Sequence, residues 1–222
     1  MFKEAGIESV FWFPHAAEHT CYTPNLKDPN AERMHLPPIP EAWEGRFVKK
    51  IPKYDWCFIG HINNDRRIAA LDQLAKANSN WHYGRLFFED AARAFHNSKI
   101  VFNICHDRDI NMRFFEATSA RSCLLTEWLP EFEELGYRHK EHCLFYKSID
   151  EAQELMSEYV DPSKDQERDD IAERGWRKTW AEHTYANRAH DMILLLQLHG
   201  YAPAPPELLA IMQSAPPATI QP

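Results

Sequence analysis

Apolar residues in this chain fall into short, dense runs, and the stretches between them carry a helical period. The runs lie at about 7–13, 55–59, 81–87, 99–105, 123–126 and 143–146. Each has strand length, and the run at 99–105 (K-I-V-F-N-I-C) suits a strand buried on both faces. Ile68, Leu71, Leu74 and Ala75 place one apolar stripe on a helix at 66–77. Ala152, Leu155, Met156 and Tyr159 do the same at 149–159. Further helices are expected at 88–97, 111–120, 130–135, 165–180 and 185–199, with Gly136 ending the one at 130–135. Strands alternating with helices predict an α/β fold, a parallel sheet with helices on both faces.

Outside this pattern the composition changes. Residues 23–54 are rich in proline and charge, with P-P-I-P at 37–40, and read as a linker or surface-hugging loop. The tail is rich in proline and alanine, with one helical turn expected at 208–212. The expected organisation is a remnant of an N-terminal domain or an interdomain strand at 1–24, a Pro-rich linker at 25–53, the sheet domain at 54–200 and a tail at 201–222.

The formal charge of −8 over 222 residues argues against a general nucleic-acid or anionic-membrane surface, since both need basic patches. No apolar run approaches the roughly 20 residues of a membrane helix, and the start, M-F-K-E, is not a secretory signal. The five cysteines are odd in number and form no C-x-x-C, which suits reduced thiols in a cytoplasmic protein. His15, Glu18, His19 and Cys21 lack a second well-spaced pair, and His139, His142 and Cys143 lack a fourth partner, so no metal site is expected.

Candidate chemistry gathers after the run at 99–105. Residues 106–110 form a polar break beyond a strand's carboxyl end, where ligands of open α/β sheets bind. The helix that follows begins at Asn111, with Asp109 placed to cap it. Its first free N–H groups, at Asn111 and Met112, favour an anion. Arg113 and Glu116 are three apart and share one helical face. Arg113 suits phosphate, and a Glu116 carboxylate suits sugar hydroxyls. The same spacing also suits a plain surface ion pair worth about 0.2–0.5 kcal/mol. Arg66 or Arg67, at the start of an earlier helix, can meet a diphosphate or form a solvated pair of charges. The fingerprint G-x-G-x-x-G is missing, so no nicotinamide cofactor is indicated.

Several short motifs then line up. N-x-R-x-F-E-A at 111–117 follows S-K-I-V-x-N-I at 98–104 and precedes L-L-T-E at 124–127. Y-D-W-C-F-I-G-H at 54–61, I-A-E-R-G at 171–175 and H-T-Y-A-N-R at 183–188 complete the series. Together they resemble the donor half of GT-B glycosyltransferases, nearest the CgeB-like, group-1 type (spore-maturation proteins). The resemblance implies a Rossmann-like domain and a donor site for a UDP-, GDP- or TDP-sugar, with no other cofactor and no metal. It implies that Glu116 holds the donor ribose and that the helix start at Asn111 and Met112, with Arg113 and Asp109, faces the diphosphate. It implies that Gly60 and His61 form the phosphate-facing turn, with Arg66 beside it. It places His183 in a structural turn between the last helices, and Trp176 and Trp180 in packing. The segment at 7–13 resembles the last strand of an N-terminal domain that is otherwise largely absent.

Two positions depart from the pattern. Arg108 stands where many retaining enzymes have an earlier glutamate, eight residues before the ribose glutamate. Ser119-Ala120-Arg121 stands for a common A-C-G turn, and glycine there allows a close approach that arginine does not. The expected activity is metal-independent transfer of a sugar to an acceptor that the residues do not specify. The alternatives are a non-catalytic nucleotide-sugar module acting with a separate acceptor domain, and a flavodoxin-like interaction domain. An open half-cleft also leaves room for a homo-oligomer.

Overall fold

A computed structural model describes residues 13–17, 52–62, 64–105 and 109–198. In chain order these form β1 (Tyr54–Ile59), α1 (Asp65–Ala77), β2 (Trp81–Gly84), α2 (Phe88–His96), β3 (Ser98–Asn103) and α3 (Met112–Ser119). There follow β4 (Cys123–Glu127), α4 (Glu131–Glu134), β5 (Leu144–Tyr146), α5 (Ile149–Val160), a 3-10 turn (Pro162–Lys164), α6 (Asp165–Glu182) and α7 (Tyr185–Leu198). The five described strands form one parallel sheet in the order β2-β1-β3-β4-β5. This is the expected α/β, Rossmann-like arrangement.

Why the strands read as unbroken apolar runs is plain from their two faces. Cys57, Ile59, Val101, Leu124 and Phe145 point to a core shared with α2, α3 and α4 through Phe95, Phe114, Phe115 and Phe132. The alternate residues Trp56, Phe58, Ile100, Phe102, Leu125 and Tyr146 point the other way, to Leu71 and Leu74 of α1, Leu155 and Met156 of α5 and Ile171 of α6. With both faces covered, most positions of β1, β3, β4 and β5 are buried and the period of two disappears from their hydropathy, while the edge strand β2 is only partly covered. Local signals set the helix starts. Asn64 caps α1 by accepting the N–H of Arg67 at 2.8 Å. Ser148 caps α5 by accepting the N–H of Glu151, whose carboxylate in turn takes the N–H of Lys147 at 2.7 Å.

Some boundaries differ from expectation. β2 stops at Gly84 instead of 87, because its partner β1 ends at Ile59 and only the N–H of Gly60 continues the ladder, to the Gly84 carbonyl. β3 stops at Asn103 instead of Cys105, because the Ile104 carbonyl is taken by side chains of Arg67 and Asn111. α3 begins at Met112, with Asn111 in the N-cap position, so Asp109 does not cap it. Of the strand expected at 7–13 only Phe13 is described, and it lies in no strand. Ala17 instead bridges Thr184, with its N–H on the His183 carbonyl at 2.8 Å. Nearly all of the expected linker, the tail with its turn at 208–212, the residues Glu18, His19 and Cys21, and Arg108 with its two preceding residues lie outside the described residues.

Candidate functional site

The strand order reverses between β1 and β3: α1 leads from β1 to one side, and the chain returns through α2 to β3 on the other. Such a reversal opens a crevice at the carboxyl ends of the two strands, the usual ligand position of a doubly wound sheet. Gly60 and His61 follow β1 into this crevice, and Ile104 and Cys105 follow β3. Arg66 and Arg67 enter on the first turn of α1, and Asn111, Met112, Arg113 and Glu116 on α3.

Both arginines of α1 are engaged. Arg67 donates to the carbonyls of His61 at 2.9 Å and Ile104 at 3.3 Å, which ties the two strand ends together across the crevice. Its guanidinium also lies over the Phe58 ring. Burial lowers its pKa, and the neighbouring charges of Arg66 and Arg113 lower it further, so the cationic groups are gathered at one place. Arg66 pairs with Glu127 at the end of β4 and reaches the Cys105 carbonyl, while about half of its side chain stays exposed. Among the described residues, Arg67 meets carbonyls and no carboxylate.

Arg113 and Glu116 do face each other, at 2.6 Å, but not on the surface. Their side chains are 17 % and 11 % exposed, and the Arg113 guanidinium lies over the Phe95 ring. This argues against the competing reading of a plain surface pair. Arg113 is also not an isolated cationic fork: the Glu116 carboxylate already balances it. Asn111 turns its amide away from its own helix, donating from Nδ2 to Asn103 Oδ1 and to the Ile104 carbonyl, both at 3.1 Å. Met112, at the first helical position, is exposed, as are Asp109 and His61. Gly60 is not held there by backbone conformation, since an added Cβ would only touch the Phe58 ring at 3.4 Å.

Thus Gly60, His61, Arg66, Asn111, Met112, Arg113 and Glu116 do come to one end of the sheet, with Asp109 just before α3. Two participants, Glu127 and Asn103, were not singled out from the sequence, and of the two arginines read there as alternatives both are engaged. Arg67 makes more contacts in the crevice than Arg66; Glu127, inside L-L-T-E, anchors Arg66; and Asn103, inside S-K-I-V-x-N-I, is the hub of a buried polar network. Both motifs pointed at these residues, but a buried polar side chain in an apolar strand has no periodic signature. Elsewhere, His139 and His142 each accept a backbone N–H at Nδ1, from Phe145 and Arg138. Among the described residues no group of three or more His, Cys, Asp or Glu is placed to hold a metal ion. No helix among them is long and apolar enough to cross a membrane.

A parallel sheet with arginines gathered at its topological switch point defines a Rossmann-like α/β domain. The model of a family described as glycosyl transferase-like matches residues 46–193, most of the chain, and the protein belongs to that family. No curated protein matches it. The family assigns the chain to glycosyl transfer, with a sugar donor and an acceptor as substrates.

Proposed function

We propose that the crevice between β1 and β3 binds a nucleoside-diphosphate sugar and that the sugar is transferred from it to an acceptor hydroxyl. The observation that carries this reading is the convergence of Arg66, Arg67 and the α3 N-terminus on the switch point of a glycosyl transferase-like chain. The diphosphate would lie against the helix start and the two arginines, with the ribose hydroxyls toward Glu116. In the reaction the bond from sugar C1 to the diphosphate oxygen breaks, its electron pair leaves with the diphosphate, and the acceptor oxygen bonds C1 as its proton departs. Fixed positive charge at the leaving group stabilises that developing anion, which is the ground for proposing metal-independent transfer.

On this reading the chain is the donor-binding, C-terminal half of a GT-B enzyme of the CgeB-like, group-1 type, acting in the cytoplasm, with residues 54–200 as the donor domain. The acceptor's base would come from a separate domain or a second copy in a homo-oligomer. Titration with UDP, GDP, ADP and dTDP, followed by their sugars, tests the reading. At least one diphosphate should raise the melting temperature and show saturable heat. Absence of binding by all four would overturn the donor assignment. Binding without donor hydrolysis or transfer would support the non-catalytic module instead.

A further inference from the structure

Asn103 closes β3 and is 2 % exposed, yet its side chain and its carbonyl are both fully engaged. The Tyr146 hydroxyl on β5 donates to its carbonyl at 2.9 Å. Its Nδ2 donates to Thr126 Oγ1 on β4 at 3.0 Å, and its Oδ1 accepts from Asn111 Nδ2 at 3.1 Å. The orientation of both amides follows from one acceptor. The Ile104 carbonyl can only accept, so the atom of Asn111 that meets it is Nδ2. That same Nδ2 requires Oδ1 on Asn103, which leaves the Asn103 Nδ2 for Thr126.

This arrangement has a consequence for α3. The backbone of Asn111, at φ −85° and ψ 164°, is in the conformation of an N-cap, and asparagine is a preferred N-cap residue. Yet its side chain makes no capping bond. Among the described residues its buried Oδ1 has no hydrogen-bond partner, while Nδ2 is held by Asn103 and Ile104. The first intrahelical bond runs from the N–H of Phe114 to the Asn111 carbonyl at 3.2 Å, so the N–H groups of Met112 and Arg113 precede any helical acceptor. A capping Asn111 side chain would take the N–H of Arg113 or Phe114, the second and third helical positions, and so compete for this end of the helix.

We propose that Asn103 is a positioning residue: it clips the Asn111 amide away from its own helix and so keeps the α3 N-terminus open to the donor diphosphate. The inference rests on the donor site proposed above. When Asn103 is removed, the Asn111 amide is released to cap α3 and to compete with the ligand.

The test compares Asn103→Ala with the double variant Asn103→Ala/Asn111→Ala by calorimetric titration with UDP, GDP, ADP and dTDP. Asn103→Ala should weaken the diphosphate that binds the native chain about tenfold, the scale of one N-cap. The double variant should regain most of that loss, because the competing amide is gone. A merely structural Asn103 gives no such rescue, and a double variant as weak as Asn103→Ala overturns the proposal. If Asn103→Ala does not fold, Asn103→Ser takes its place. Amide hydrogen exchange without ligand supplies a second readout. The Arg113 or Phe114 amide should gain protection in the single variant and lose it again in the double variant, and unchanged exchange also overturns the clip. If none of the four diphosphates binds the native chain, the donor reading fails while the exchange result still decides the clip.

Discussion

The Arg113–Glu116 pair can do two things, and they separate by experiment. As a buried pair it contributes to stability, and removing the carboxylate leaves a guanidinium without its counter-charge, which is costly in proportion to burial. As a ribose site, the carboxylate also distinguishes sugars by their hydroxyls. Glu116→Gln should weaken binding of the best nucleoside diphosphate by about 1.5–3 kcal/mol, the scale for hydrogen bonds to charged groups. The variant should also lose the preference for that diphosphate over its 2′,3′-dideoxy analogue. Loss of stability with the preference intact would remove Glu116 from the site. A second residue-scale effect sits at Arg121, where the sequence departs from a glycine-containing turn. The backbone there is left-handed, φ 51°, so the turn keeps the glycine conformation with an arginine in it. Its guanidinium pairs with Glu173 on α6, which offsets the cost of that conformation. Arg121→Gly and Arg121→Ala both lose the pair, but only alanine keeps the strain. The glycine variant should be the more stable of the two by about 1 kcal/mol in urea unfolding.

Elements were more legible than their ends. Runs such as K-I-V-F-N and C-L-L-T-E sit inside parallel strands because both faces are covered, and Leu71, Leu74, Leu155 and Met156 lie on buried helix faces as their spacing requires. The ends were set by side chains from elsewhere in the sequence. Arg67 and Asn111 claim the Ile104 carbonyl and end β3, and no local propensity contains that information. The same holds for the site: the residues on α3 and the arginines that open α1 were readable from the sequence, whereas Asn103 and Glu127 acquire their roles only when strands 20 or more residues apart are paired. α6 gives the clearest element-scale prediction. It packs along α3, where Thr179 bonds Thr118 at 2.8 Å, and it carries Gly175 in mid-helix, a residue that weakens an isolated helix. An added Cβ at Gly175 would stand 2.2 Å from the His142 carbonyl oxygen, a backbone atom that cannot swing aside. Gly175→Ala should therefore destabilise by about 3 kcal/mol despite its better helix propensity. A change below 0.5 kcal/mol in the urea midpoint would show that the 138–143 turn moves away freely.

At the scale of the whole molecule, three histidines hold the end of the sheet domain together in their neutral form. His183 accepts from Arg188 at Nδ1, 2.8 Å, and an arginine can only donate, so the proton sits on Nε2 and is donated to the Leu135 carbonyl at 3.1 Å. The ring stacks on Tyr137, whose hydroxyl continues to Thr179 of α6 at 2.7 Å. The His183 carbonyl also receives the N–H of Ala17, which joins the residues ahead of the sheet to the turn before α7. Burial, then the charges of Arg188 and Lys178, lower the His183 pKa to about 3. His139 and His142 are lowered by burial as well, although Glu141 beside His142 pulls the other way. Above the unfolded value, about 6.5, both states are neutral at these positions and their contribution to stability is complete. As the pH falls below it, the unfolded chain takes up protons that the native rings refuse, so stability declines. For His183 the decline continues toward pH 3 at up to about 1.4 kcal/mol per pH unit, the limit for one proton. Urea unfolding of the native chain should therefore be flat from pH 8 to 7 and should weaken steadily from 6.5 to 4.5. His183→Gln should begin lower at pH 8, because its geometry to Arg188 is lost, but fall with a slope shallower by close to one proton. Equal slopes in the two proteins would mean that His183 is protonated in the folded state, which the donor at Arg188 forbids while α7 stays docked.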